Sequence, residues 1–257
     1  MELSIADQLF VVAGAGAGLG HATAEALLAD GAHVIGVARH TDSLQPLQAR
    51  YPQQLTVLSA DITQPATWQL LQQCMGSRQL HGVLVNAGGP PAATALEATL
   101  QQWDEAYQQV LRWKIGWLQT VLPAMQQAGY GRILFIESAS VKQPMENLVL
   151  SNSLRLAVVG YAKTLAGELA PQGITVNVLA PGFHATAAME RLFSKKMEQQ
   201  HINRDAAMAQ YVQQTPVGFM GQAADFGSLA CWLLSPHSRF ITGQTIAVDG
   251  GVIKGTF

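Results

Sequence analysis

The sequence predicts an α/β fold that is built on a parallel sheet with helices on both faces. Short apolar segments of strand length alternate with helical segments along all 257 residues. The strands are mostly apolar, which is typical of a parallel sheet buried on both sides. The first strand, residues 9–13, leads directly into a glycine-rich turn and a helix. Together these features predict a single Rossmann-type, doubly wound domain over residues 1–257.

The turn after the first strand carries glycine at alternate positions. Glycine lets the backbone approach a ligand closely and adopt positive φ. The helix that follows presents unpaired N–H groups and the positive end of its dipole, which attract an anion. This arrangement is typical of the first βα turn of a dinucleotide-binding fold, although a tight turn in an unrelated α/β protein is an alternative. The glycines are Gly14, Gly16, Gly18 and Gly20.

The other elements follow from hydrophobic periodicity and from glycine and proline positions. Strands are predicted at residues 32–38, 55–59, 82–86, 131–136, 174–180 and 244–248. Helices are predicted at residues 21–30, 67–75, 100–127, 147–170 and 223–234. Residues 183–215 are more polar and irregular, with short helices expected near 189–196 and 204–214, and we interpret them as a substrate loop within the domain.

Composition excludes several classes of function. A net charge of −2 gives no support for binding to nucleic acid or to a membrane surface. No apolar run reaches the ~20 residues of a membrane span, and the amino terminus lacks the pattern of a secretion signal, so a cytoplasmic location is expected. Cys74 and Cys231 lie near no cluster of ligand residues, which predicts free thiols and no metal site.

Further motifs stand in a recognisable order and spacing. Asn86-Ala87-Gly88 follows the fourth strand, Ser138 follows the fifth, and Pro181-Gly182 with Thr186 follows the sixth. With the glycine-rich loop, they resemble the short-chain dehydrogenase/reductase family over nearly the whole chain. The resemblance implies a nicotinamide cofactor. It also implies these cofactor-binding residues: Gly14, Gly16, Gly18, Leu19, Gly20, Asp61, Ile62, Asn86, Ala87, Gly88, Pro181, Gly182 and Thr186.

The end of the second strand indicates which cofactor is bound. In this fold an acidic residue there binds the ribose 2′-hydroxyl of NAD, whereas an arginine suits the 2′-phosphate of NADP. This chain has Ala38 and then Arg39, with no carboxylate. A guanidinium matches phosphate geometry. We therefore predict NADP(H) rather than NAD(H), with a plain surface arginine as the alternative.

The resemblance fails at the residues that carry the family's chemistry. The family uses a tyrosine as proton donor and a lysine four residues later, and these positions fall on Ser151 and Arg155. The family's asparagine falls on Val110, so only the catalytic serine remains, as Ser138. A serine hydroxyl is a weaker acid than a phenol and is ~4 Å shorter. Arginine stays protonated and cannot shuttle a proton.

The Ser-Asn-x-x-Arg sequence at 151–155 resembles a subset of the family whose members are labelled 3-oxoacyl-carrier-protein reductase-like. The first hypothesis is an NADP(H)-dependent oxidoreductase that transfers hydride between a ketone and an alcohol. Ser138 would polarise the carbonyl, Ser151 would position a water or the substrate, and Arg155 would bind the cofactor and supply charge. A non-redox biosynthetic enzyme (isomerase, dehydratase or cyclase) and a non-catalytic nucleotide-binding protein are the alternatives.

Partners and other candidate groups are less sharply indicated. A small-molecule substrate is expected, and the resemblance implies a homodimer or homotetramer. His184 could overhang the substrate as a proton donor, but a solvated loop histidine is the favoured reading. Tyr161 is expected to pack against the sheet, and Glu137 is expected to face away from Ser138. Lys142 and Glu146 are weak candidates near the site mouth. An apolar pocket wall or core packing would explain Phe183, Met189, Phe193 and Met220.

Overall fold

The computed structural model describes residues 2–256, and within them seven strands form one parallel sheet. The strands are β1 (Leu9–Ala13), β2 (His33–Ala38), β3 (Leu55–Ser59), β4 (Leu80–Val85), β5 (Gly131–Ile136), β6 (Ile174–Pro181) and β7 (Thr245–Val248). Their order is β3-β2-β1-β4-β5-β6-β7. The order in which strands are added reverses between β1 and β4, because β2 and β3 lie on one side of β1 and β4 to β7 lie on the other. In sheets of this kind ligands bind at such a reversal, beyond the carboxyl ends of the strands. The predicted fold class is confirmed.

Nine α-helices lie in the described part of the chain. They are α1 (Gly18–Ala29), α2 (Gln45–Arg50), α3 (Pro65–Met75), α4 (Leu100–Tyr107), α5 (Trp113–Ala128), α6 (Val149–Leu169), α7 (Ala187–Gln200), α8 (Arg204–Gln213) and α9 (Ala223–Leu234). The prediction missed α2. The long helix predicted over 100–127 is confirmed as an unbroken helical run over 100–128, in which an unpredicted π-helical turn at Gln108–Arg112 joins α4 to α5.

Two apolar layers hold the helices against the sheet. On one face Trp117 of α5 and Val158 of α6 pack with Phe135 of β5. On the other face Leu27 of α1 and Phe226 of α9 pack with strand residues that include Phe10, Val12 and Leu134. The strands β1 and β5 are buried along their whole length. Their alternate side chains point to opposite faces, so both layers bury the same strands.

The segment 183–215 is more regular than predicted, because α7 and α8 occupy much of it. Met189, Phe193 and Met220 form a small buried cluster with Ala207. Core packing therefore explains these three side chains, and of the four apolar residues considered, Phe183 is the one that lines a cavity.

Candidate active site

Two glycines of the loop at the end of β1 have no space for a side chain. A Cβ on Gly16 would lie 2.6 Å from the carbonyl oxygen of His40 and 2.9 Å from the Ala38 Cβ. Gly14 has a φ of +70°, and a Cβ there would lie 2.5 Å from the Asn86 amide nitrogen. Glycine is the residue that tolerates both the close approach and the positive φ.

Helix α1 begins at Gly18 directly after this loop. Its N-cap residue, Ala17, makes no capping hydrogen bond, and the first turn holds no acidic residue. The first N–H groups of the helix therefore have no partner within it, and the positive end of the helix dipole is not neutralised. This end of the helix has the properties of an anion site.

A cavity of about 590 Å³ lies beside the loop, at the carboxyl ends of the strands. Arg39 lines it directly after β2. Asp61 also lines it, and its carboxylate accepts hydrogen bonds from the Thr63 N–H (3.0 Å) and the Thr63 hydroxyl (2.8 Å). The cavity wall includes the following predicted cofactor-binding residues: Gly14, Arg39, Asp61, Ile62, Asn86, Ala87 and Gly88.

The remaining predicted cofactor-binding residues lie outside the lining of this cavity but at the same edge of the sheet. Thr186 approaches the loop, since its methyl carbon would lie 3.3 Å from a Cβ on Gly18. Gly182 donates a backbone hydrogen bond to Val248 at the end of β7 (2.9 Å). The set comprises Gly16, Gly18, Leu19, Gly20, Arg155, Pro181, Gly182 and Thr186.

Ser138 lies just beyond β5 and is half-buried. Its oxygen accepts a hydrogen bond from the Ser140 N–H (3.1 Å) and so caps a short 3-10 turn over Ala139–Val141. The hydroxyl proton of Ser138 is not used in this bond. It is available to donate to a ligand.

Ser151 and Arg155 are one turn apart on α6, and the structure joins them directly. The Arg155 Nε donates to the Ser151 hydroxyl oxygen over 3.0 Å. The Arg155 Nη1 donates to the carboxylate of Glu137 (3.0 Å) and to the Glu137 carbonyl (3.2 Å). Because Ser151 accepts from a cation, its own O–H is free to donate and is polarised toward doing so.

The ion network beneath this pair was missed by the sequence reading. Lys114 of α5 donates from Nζ to the second carboxylate oxygen of Glu137. The side chains of Lys114 and Glu137 are 3 % and 0 % exposed. Burial lowers the pKa of Lys114, the Arg155 charge lowers it further, and the Glu137 carboxylate opposes the shift. The sequence signal for this network is a charged residue within or beside an apolar segment, namely Lys114 in α5 and Glu137 directly after β5.

Glu137 was expected to face away from Ser138, and that expectation suggested no role for it in the site. Its carboxylate nevertheless binds Arg155. The reason is that α6 packs on the side to which Glu137 points, and this helix carries Arg155. Val110 is buried in the π-helical turn and offers no polar group, as its residue type requires.

The favoured expectation of a solvated loop histidine was wrong for His184, because this side chain is buried. It is 5 % exposed. Its Nδ1 lies 3.3 Å from the Gly182 carbonyl and its ring stands edge-on to Phe226. Burial lowers the pKa of His184, against the Gly182 hydrogen bond and the Asp225 charge.

Tyr161 packs edge-on against Phe135 with ring centroids 6.4 Å apart, as predicted. Burial raises its pKa, as does the nearby Glu168 charge. Cys74 and Cys231 are both free thiols.

A second cavity, of about 1060 Å³, borders the segment that leads into α6. Residues 143–148, including the candidate Glu146, form one wall. Phe183 and Tyr211 stand on another wall, with ring centroids 4.9 Å apart. Three lysines also line it, whereas Lys142 does not: Lys195, Lys196 and Lys254.

The three candidate catalytic residues line neither cavity, but Arg155 lies close to the wall of the first. The Arg155 Nη2 would lie 2.9 Å from a Cβ on Gly89, which lines the first cavity. Asn152, next to Ser151, exchanges hydrogen bonds of 2.8 and 3.3 Å with the backbone of Met145, which lines the second. Helix α6 thus brings Arg155 close to the wall of the first cavity and Asn152 into contact with the wall of the second.

Comparison with known proteins decides the family. A family model described as enoyl-(acyl carrier protein) reductase matches residues 14–253. The 3-oxoacyl-[acyl-carrier-protein] reductase FabG of Escherichia coli (strain K12) is 30% identical over 97% of this chain and 99% of its own. This chain belongs to the short-chain dehydrogenase/reductase family. It is thereby an NAD(P)H-dependent oxidoreductase, and the predicted enzyme class is confirmed at that level.

Other relatives agree with this placement. The NADPH-dependent reductase BacG of Bacillus subtilis (strain 168) is 27% identical, over 95% of this chain and 96% of its own. The structure of YwfH, an NADPH-dependent reductase involved in bacilysin biosynthesis, has a TM-score of 0.91 at 26% identity, over 97% of this chain and 100% of that one. L-sorbose reductase from Gluconobacter frateurii has a TM-score of 0.92 at 22% identity, over 99% and 100%, and supports the fold alone.

Among the described helices, none combines the length and the apolar character that a membrane crossing requires.

Proposed function

We propose that this protein is an NADP(H)-dependent oxidoreductase that interconverts a ketone and an alcohol at a site without the family's tyrosine and lysine. The hydrogen bond from Arg155 to Ser151 is the observation that carries the proposal. The bond holds the Arg155 guanidinium, which is permanently charged, against the Ser151 oxygen and leaves the Ser151 hydroxyl proton free to donate. Ser138, just beyond the end of β5, provides a second hydroxyl whose proton is free.

The residues at the carboxyl edge of the sheet fit a dinucleotide. The glycine loop leaves the space that a pyrophosphate needs, and the uncapped start of α1 suits its charge. Arg39 lines the adjoining cavity and is exposed, so it can reach a 2′-phosphate. The NADPH dependence in the names of BacG and YwfH agrees with this choice. We therefore propose NADP(H) over NAD(H).

When bound, NADPH supplies the hydride. The Ser138 hydroxyl donates a hydrogen bond to the substrate carbonyl oxygen and polarises it. The Ser151 hydroxyl donates to the same oxygen or to a water beside it. Arg155 stabilises the negative charge that develops on this oxygen, because a guanidinium remains charged. Since Arg155 cannot give up a proton, the proton of the alcohol comes from bulk solvent through a water that Ser151 binds, so that no hydroxide is left in the site.

Association into a homodimer or homotetramer is part of the proposal. Apolar side chains are exposed on α4 and α6, where Leu100 is 83 %, Tyr107 is 41 % and Leu156 is 52 % exposed. A contiguous patch of such residues marks an interface between proteins, and in the family that the sequence resembles these two long helices pair with another subunit. A small carbonyl compound remains the proposed substrate class, and a cytoplasmic location stays a prediction.

NADPH oxidation by the purified protein against a panel of ketones tests the proposal. We expect turnover with at least one ketone, and losses of about 100-fold to 1000-fold in kcat for Ser138→Ala, Ser151→Ala and Arg155→Met. Ser153→Ala is the matched control, since Ser153 is exposed on the same helix. Substrate conversion without net NADPH oxidation would favour an isomerase, dehydratase or cyclase. Failure to bind either nucleotide would overturn the cofactor assignment.

A further inference from the structure

The guanidinium of Arg155 is fixed by bonds on two of its three nitrogens. Its Nε donates to Ser151, and its Nη1 donates to the carboxylate and the carbonyl of Glu137. The third nitrogen, Nη2, lies next to Gly89, which lines the first cavity, and makes no hydrogen bond to another described residue. A guanidinium is a rigid planar fork, so fixing Nη1 also fixes the directions of Nε and Nη2.

Glu137 is itself fixed from the opposite side. One carboxylate oxygen binds Arg155 and the other binds Lys114. The three charged side chains come from three elements, because Lys114 lies in α5, Glu137 follows β5, and Arg155 lies in α6. The network therefore ties the helix that carries Ser151 to the sheet and to α5. The Arg155 side chain is 12 % exposed, so it is the member of the network that reaches the site.

We propose that Glu137 and Lys114 are positioning residues, which hold the Arg155 guanidinium against Ser151 and present its Nη2 to the first cavity. The inference rests on the proposed function, because Arg155 is the group through which both residues act. The network does not carry a proton to the substrate. Arg155 stands between Glu137 and Ser151, and a guanidinium stays protonated.

The proposal accounts for a buried arrangement that the fold alone does not need. A carboxylate away from water is stabilised only when its oxygens are paired, and here the two oxygens bind two different cations. An apolar side chain at 114 and another at 137 would fill the same space without charge. The network instead leaves a cation with fixed geometry at the edge of the site, and fixed geometry is what catalysis by charge requires.

The test is a double-mutant cycle on NADPH affinity, with kcat and KM where turnover is found. Glu137→Gln keeps the shape of the side chain and removes its charge. We expect it to weaken NADPH binding or to lower kcat about 10-fold to 100-fold, as displaced catalytic groups do. In an Arg155→Met background the same substitution should change neither quantity by more than about 2-fold, because Glu137 acts through Arg155.

Two further variants separate positioning from stability. The double variant Lys114→Met with Glu137→Gln removes both charges of the buried Lys114–Glu137 pair. It does not leave two cations around a neutral amide, as Glu137→Gln alone does. The double variant therefore keeps the test usable if Glu137→Gln fails to fold. Arg132→Met is the matched control. Arg132 is a buried cation near the opposite end of β5 and bonds to the carbonyl oxygens of Gly131, Gly173 and Ser235. We expect this control to lower stability while NADPH affinity remains unchanged.

The outcomes distinguish the two proposals. Equal losses from Glu137→Gln in the wild-type and Arg155→Met backgrounds would overturn the positioning role, even if the wild type reduces ketones. A cofactor effect from Arg132→Met as large as that from Glu137→Gln would overturn it too. A wild type that binds NADPH without oxidising it, but shows the expected cycle on affinity, would overturn the proposed oxidoreductase reaction and support the positioning role.

Discussion

Arg155 donates from its Nε to the hydroxyl oxygen of Ser151, one helical turn away, over 3.0 Å. The bond gives the hydroxyl a fixed direction, since the oxygen accepts from the cation and the proton must point elsewhere. A serine alone is a poor substitute for a tyrosine in both acidity and reach. A serine held by a partly buried arginine can still donate to a developing oxyanion.

Arg39 should set the preference between the two nicotinamide cofactors. We expect Arg39→Ala to weaken NADPH binding about 10-fold to 100-fold, because a hydrogen bond to a charged group is worth about 1.5–3 kcal/mol. NADH binding should stay within about 2-fold, since NADH lacks the phosphate. Fluorescence titration with both nucleotides measures this. Arg50→Ala is the control, because Arg50 is exposed and bonds Glu25. Equal losses for both nucleotides would contradict the assignment.

Gly16 should resist even the smallest side chain. Its missing Cβ would lie 2.6 Å from a backbone oxygen, so Gly16→Ala must displace the chain after β2. We expect a loss of about 1–3 kcal/mol in unfolding free energy, together with weaker NADPH binding. Urea unfolding and nucleotide titration give the two quantities.

Gly160→Ala is the matched control for this substitution. A Cβ there meets no described atom within 4 Å. Because alanine is favoured over glycine inside a helix, this variant should be as stable as the wild type or slightly more stable. A Gly16→Ala protein with wild-type stability and affinity would show that the loop is not closely packed.

In the buried Lys114–Glu137–Arg155 network, a second substitution should restore part of the stability that the first one removes. Glu137→Gln leaves Lys114 and Arg155 without a counter-charge, and we expect a loss of about 3–5 kcal/mol in unfolding free energy. Adding Lys114→Met removes one of the two cations, so the double variant should be more stable than Glu137→Gln alone. Urea unfolding of the two variants decides it. A double variant that is less stable than the single one would contradict the ion network.

His184 should make the protein sensitive to acid. Burial lowers its pKa below 6.5, so just below that pH the unfolded chain binds a proton that the folded chain refuses. This contribution to stability is therefore fully present well above pH 6.5, and it is lost as the pH falls through 6.5 towards the lower pKa of the folded state. Burial lowers the pKa of His81 in the same direction.

His184→Leu should flatten the fall in stability between pH 7 and pH 5, as measured by Tm at each pH. His40→Gln, an exposed change, is the control and should leave the slope unaltered. If His184→Leu retained the full slope, the buried imidazole would not be its source.

Short-range sequence pattern was enough to predict the sheet and to place the candidate site along its carboxyl edge. The apolar strands, the glycine turn and the one-turn spacing of Ser151 and Arg155 are all short-range features. The Lys114–Glu137 contact joins residues 23 apart in sequence, from different elements, and periodicity carries no information on such pairs. His184 was misjudged for the same reason, because Gly221 and Phe226 enclose it from another segment.

The π-helical turn at Gln108–Arg112 also escaped prediction, because the apolar spacing of the two flanking helices continues through it. Its consequence falls on the site. The turn holds Val110 buried and comes just before the start of α5, where Lys114 lies against Glu137.

Transfer of a deuterium label is the most direct measurement. The protein is incubated with a ketone that it converts and with NADPH deuterated at the transferable position, and the product is analysed by mass spectrometry. We expect one deuterium in the alcohol for each NADPH oxidised, and a rate that falls together for Ser151→Ala and Arg155→Met. A product that forms without the label, or a rate that neither substitution changes, would contradict hydride transfer at the Ser151–Arg155 pair.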